Sequence, residues 1–141
     1  LTHFEENGDG RYFIILEGVT RFRLVHELTV MTPYRQCVIS ADEFAEDFIR
    51  NHGEEAVDRP RFLKMMRDYA EFASIDLNWD EIENTGTADL VNFCCMVSPY
   101  GAAEKQVLLE APTLQARAET LIAITEYEMA RGGSGGTAPL N

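Results

Sequence analysis

Nucleophilic hydrolysis needs an oxygen or sulfur nucleophile within hydrogen-bond reach of an oriented base, and this chain offers few candidates for either role. Its serines are Ser40, Ser74, Ser98 and Ser134, and its lysines are Lys64 and Lys105. Ser98 and Lys105 form the nearest pair, but Pro99 makes Ser98 a helix-end residue. Nucleotide chemistry would need a loop of the form GxxxxGK[ST], whose backbone N–H groups cradle phosphates. The run Gly132-Gly133-Ser134-Gly135-Gly136 lacks the lysine and the flanking strand and helix. His3, His26 and His52 show no HExxH or CxxC spacing for zinc, and Asp42, Glu43, Glu46 and Asp47 lack the DxDxDG pattern of a calcium loop. Cys94 reads as a small buried hydrophobe and Cys95 as its partly exposed neighbour. The reading is therefore of no catalytic, cofactor-binding or metal-ligating residue.

Binding is the chemistry left. Arg21 and Arg23 share the polar face of a strand, where they would contact an acidic peptide or pair across strands with Glu17, Glu27 or a neighbouring strand. Met65 and Met66, beside Tyr69, Phe72 and Trp79, form a soft aromatic cluster. Such a cluster accepts varied apolar segments when it is exposed and fills a core when it is not.

The remaining composition narrows the partners. The 141 residues fit one domain of 45% hydrophobic content, enough for a sizeable core. Net charge is −12, from 24 acids and 12 bases. Seven of the acids (Asp42, Glu43, Glu46, Asp47, Glu54, Glu55 and Asp58) lie within residues 40–58, with Arg50 the one base there. Nucleic acid and anionic membrane both need a basic footprint and are disfavoured as partners. No apolar run approaches the ~18 residues of a membrane span, and nothing in the first residues given resembles a signal peptide. With three cysteines, two of them adjacent, no disulfide framework is implied, and a cytoplasmic location is expected.

The pattern is strands first and helices second, which predicts an α+β fold with segregated halves. Residues 1–41 carry the strand signals. Leu1-Thr2-His3-Phe4-Glu5 reads as a strand without a starting methionine, so strands are expected to precede it in a longer protein. Asn7-Gly8-Asp9-Gly10 is a hairpin turn. Residues 12–16 are apolar on both faces, as in a strand covered on both sides, residues 22–28 alternate as one half-buried strand, and Tyr34 to Ile39 forms another. Residues 42–58 are an acidic linker or weak helix. Over residues 59–131 four helices are expected, together with a short one at Asn78. Asp58, Asn78, Thr87 and Thr113 serve as starts, and Pro60 lies in the first turn of the first. Leu90, Val91, Cys94 and Val97 line the inner face of the helix that Ser98-Pro99 ends. Gly132 is placed to end the last and longest helix, leaving 132–141 as a flexible glycine-rich tail.

Two motifs carry a family resemblance. Residues 96–131, containing Ala102-Ala103-Glu104-Lys105-Gln106-Val107-Leu108-Leu109-Glu110, resemble the helical end of the Lon protease N-terminal, substrate-binding domain. Leu16-Glu17-Gly18-Val19-Thr20-Arg21-Phe22-Arg23-Leu24 resembles that family's strand motif, and the two stand in the family's order. The resemblance covers residues 1–131 and is weakest at residues 42–58. It implies a PUA-like, barrel-like β subdomain packed on a helical bundle ending in a long helix. It also implies a module that binds unfolded or tagged polypeptides without cutting them, of the stand-alone kind found in bacteria. Alternatives are an accessory subunit that regulates the assembly of a protease or of its own homo-oligomer, and an enzyme with a hidden carboxylate or thiol site.

Overall fold

A computed structural model describes residues 1–134, and their contacts fall into two units, Leu1–Arg50 and the residues from Asn51 onward. Among the described residues the strands lie in the first unit and the α-helices in the second, so the fold is α+β.

In the first unit, β1 (His3–Glu6) runs antiparallel to β2 (Tyr12–Ile15), with His3 opposite Ile15 and Glu6 opposite Tyr12. The turn between them forms where the sequence places it. Gly8 and Gly10 take positive φ (69° and 80°), and the Asp9 carboxylate accepts from the Arg11 N–H at 3.0 Å. Phe4 stacks on Tyr12 at 5.0 Å between ring centroids. β3 (Arg23–Glu27) pairs antiparallel with β4 (Cys37–Ser40), with a register irregularity between Leu24 and His26. A bidentate Arg35–Glu27 pair braces this second hairpin.

These are two separate two-stranded sheets, not the single barrel-like sheet that the resemblance implies, and neither closes. No side chain of this unit is buried. Phe13 and Ile14, expected to be covered on both sides, are about half exposed, and Leu24, expected on a half-buried face, is 63% exposed. The reason is geometric: strands of four or five residues paired only in twos have no second layer to cover either face.

The second unit is organised by capping. The Asp58 carboxylate accepts from the Arg61 N–H at the start of α1 (Arg59–Ala73), which has Pro60 in its first turn and ends at Ser74 in the left-handed region. Asn78 caps α2 (Trp79–Asn84). α3 (Thr87–Val97) takes its cap from a distance, the Glu54 carboxylate accepting from the Ala88 N–H at 2.6 Å. α4 (Ala102–Glu110) stops before Pro112, and Thr113 caps α5 (Leu114–Ser134).

α5 is the spine, packing against α1, α3 and α4. Its Leu114, Ala118, Leu121, Ile122 and Thr125 are buried with Phe62, Met65, Val91 and Leu108. Each large side chain fully buried here contributes roughly 1.5–3 kcal/mol. Arg59 ties the start of α1 to the start of α3 and the end of α2, donating to the Thr87 hydroxyl and to the carbonyls of Ile82 and Glu83.

Two expectations change. Val97 faces outward at 57% exposure, because the buried stripe of α3 runs through Ala88, Leu90 and Val91 instead. Gly132 does not end α5, which continues to Ser134. Its missing side chain serves close packing, since a Cβ there would lie 2.6 Å from the tip of the Phe72 ring. The rest of the expected tail, residues 135–141, lies outside the described residues.

Candidate functional site

Three helix ends of the second unit converge on a cleft of about 320 Å³. α1 supplies Tyr69 and Phe72 near its carboxyl end, the connection after α3 supplies Pro99 and Tyr100, and α5 supplies Glu128, Arg131 and Gly132. The rings of Tyr69 and Phe72 lie 6.5 Å apart. Pro99 fixes the backbone that delivers Tyr100. The Tyr100 hydroxyl lies 2.6 Å from the Thr125 hydroxyl, which donates its own proton to the Leu121 carbonyl at 2.8 Å. Tyr100 is therefore the donor, its ring orientation is set by the buried spine helix, and burial pushes its phenol pKa up. At the mouth Arg131 meets Glu128 at 3.3 Å, with the Arg131 side chain 67% exposed.

The residues singled out as binding candidates scatter. Arg21 is bound within the first unit: its guanidinium makes two 2.8 Å bonds to the Asp47 carboxylate, its backbone N–H makes a third, and it lies 4.8 Å from the Phe44 ring centroid. Arg23 pairs with Glu43 at 2.9 Å and also faces Phe44. Both arginines thus meet acids of residues 42–48 instead of the cross-strand Glu17 and Glu27. Met65 is a core residue, while Met66 is half-buried against that core. Trp79 lies under Arg67 at 4.7 Å, and Arg67 also pairs with Glu83. Only Tyr69 of the six reaches the cleft.

Tyr100, Glu128, Arg131 and Gly132 did not emerge from the sequence as site residues. No local spacing links them, and the one available signal was Pro99 immediately before an aromatic residue. Elsewhere, burial pushes the Cys94 and Cys95 thiols up to about 11. Among the described residues, no three histidine, cysteine or acidic side chains are grouped to hold a metal ion, and no helix is long and apolar enough to cross a membrane. The geometry offers a ring-walled recess for a side chain, with an acceptor and a donor at its mouth.

Residues 1–126 match the family model of the ATP-dependent protease La (LON) substrate-binding domain. The chain belongs to this family. A Lon protease of Parabacteroides distasonis is 34% identical over 126 residues, which are 87% of this chain and 15% of that protein. The chain thus spans a small fraction of its relative's length, and the matched part is the substrate-binding domain. The family match takes in both hairpins and most of α5, including Tyr69 and Tyr100, and stops just short of Glu128 and Arg131.

Proposed function

We propose that this LON domain is a non-catalytic recognition module that holds unfolded or tagged polypeptides. The family match carries the reading, because substrate binding is the role in the name of the one domain it covers. The half-buried Met66, Tyr69 and Trp79, on or beside the cleft-bearing helices, are the proposed contacts in the second unit, with Arg21 and Arg23 in the first. The two hairpins are proposed to belong to a larger, barrel-like sheet of PUA-like type, and the protein to act in the cytoplasm without nucleic acid or membrane partners.

A second reading, an accessory subunit that assembles with a protease or with itself, is favoured by one observation. Phe93, Met96, Val107 and Leu109 of α3 and α4 are each more than half exposed, large apolar side chains of the kind that subunit contacts cover.

One set of samples tests both. Fluorescence titration with a permanently unfolded model polypeptide is expected to saturate at tens of micromolar, about −6 kcal/mol. Absence of saturable binding counts against recognition. Sedimentation of the same protein as a strict monomer, without a copurifying partner, counts against the accessory role.

A further inference from the structure

We infer that the ring-lined cleft is a cation pocket that takes a lysine or arginine side chain of the bound polypeptide. This rests on the recognition reading above and adds the class of client residue.

Four features of the cleft agree. Its walls are the aromatic rings of Tyr69, Phe72 and Tyr100, whose faces carry the negative lobe of the ring quadrupole and attract cations within about 6 Å. Glu128 places a carboxylate in the same lining. The cleft lies where α1 ends at Ala73 and α5 approaches its end at Ser134, beside the segment that leaves α3 at Val97. Helix carboxyl ends carry partial negative charge; α1 and α3 have no basic residue in their last turns to offset it, and in α5 only Arg131 does so. Finally, a chain of net charge −12 draws basic segments towards it. An apolar side chain would take water from Glu128 and add no partner beyond its exposed Arg131 pair, whereas an ammonium or guanidinium bonds to the carboxylate directly.

Arg131 is the built-in competitor. It belongs to the cleft lining, meets Glu128 at 3.3 Å while two-thirds exposed, and lies 5.9 Å from the ring of Tyr127, which is not a lining residue. An exposed pair of that length is weak and screened by salt, so a client cation can displace it. The protein uses the same pairing internally, with Arg67 over Trp79 and Arg21 over Phe44.

The test titrates the whole chain with three extended glycine-serine peptides, carrying spaced lysines, spaced leucines or spaced glutamates, alongside an unfolded polypeptide free of lysine and arginine. Three variants are compared: Glu128→Gln, Arg131→Ala and Glu119→Gln. The last removes the same charge from the same helix away from the cleft. The expected result is preference for the lysine peptide, weakened about fivefold or more by Glu128→Gln, strengthened by Arg131→Ala and unchanged by Glu119→Gln. Equal binding of the leucine peptide overturns the inference. So does equal weakening by Glu119→Gln and Glu128→Gln, which marks diffuse charge attraction. If the unfolded polypeptide binds and the lysine peptide does not, the cation pocket fails and the recognition reading stands. If no probe binds, both fail.

Discussion

Cys94 and Cys95 are the reactive side chains whose surroundings speak most directly about chemistry. Burial is the main cause in both of a pKa raised from 9.0 to about 11, with the neighbouring Cys95 thiol adding to the effect on Cys94 and Arg117 opposing it on Cys95. A nucleophilic cysteine shows the opposite shift, because the thiolate is the attacking species. Two pH units correspond to roughly a hundredfold smaller thiolate fraction at neutral pH, so both residues are expected to react with a maleimide far more slowly than a free thiol does. Stopped-flow labelling with mass-spectrometric site assignment measures this, and a fast site at residue 94 or 95 would reopen the thiol-enzyme alternative. The same shift has a stability consequence. The folded state holds these protons more tightly than the unfolded chain, so the contribution is complete below about pH 9 and is lost as pH rises towards about 11. Thermal melts are expected to move down across that window.

At the scale of elements, the sequence foretold whatever a single turn of helix decides. Asp58, Asn78 and Thr113 each accept from a backbone N–H three residues on, so residue type and spacing were enough to place those starts. The start of α3 was different. Thr87 is its opening residue, as its type suggested, but Gly86 holds the cap position without a side-chain bond and Glu54, more than thirty residues upstream, supplies the acceptor. No local pattern encodes such a contact. The cleft was illegible for the same reason, being an accident of where three helices end, and Gly132 was misread as a stop because the Phe72 ring against it is invisible in sequence. Removing the distant cap is expected to have the cost of a lost helix cap: Glu54→Ala should destabilise the helical unit by about 0.5–2 kcal/mol. Glu54→Gln, which keeps an acceptor oxygen, should cost less. Denaturant titration reads both, with an unchanged slope distinguishing lost stability from a change in the surface exposed on unfolding.

For the whole molecule, the two units differ in how they resist opening. The residues from Asn51 onward share a core in which Phe62, Val91, Leu108 and Leu121 are almost wholly removed from water, so breaking any one helix exposes parts of the others. Leu1–Arg50 holds no buried side chain. Its order comes from two short ladders, the Gly8 and Gly10 turn, and the Arg21–Asp47 and Arg23–Glu43 pairs. The strand pattern alone promised covered faces here, because alternation records which residues a strand can bury and not whether a second layer is present to bury them. Local opening free energy follows buried apolar contact. Amide exchange is therefore expected to be complete within seconds to minutes across His3–Glu6, Tyr12–Ile15, Arg23–Glu27 and Cys37–Ser40, while the middles of α1 and α5 are protected to the global limit. Hydrogen-exchange mass spectrometry of the whole chain resolves the two classes. A client or second copy that pairs with the open strand edges should slow exchange in the hairpins while leaving α5 unchanged. Occupancy of the Tyr69–Tyr100 cleft should instead protect the carboxyl-terminal turns of α1 and α5 and leave the hairpins fast. Exchange therefore reports which surface a polypeptide occupies, independently of how tightly it binds.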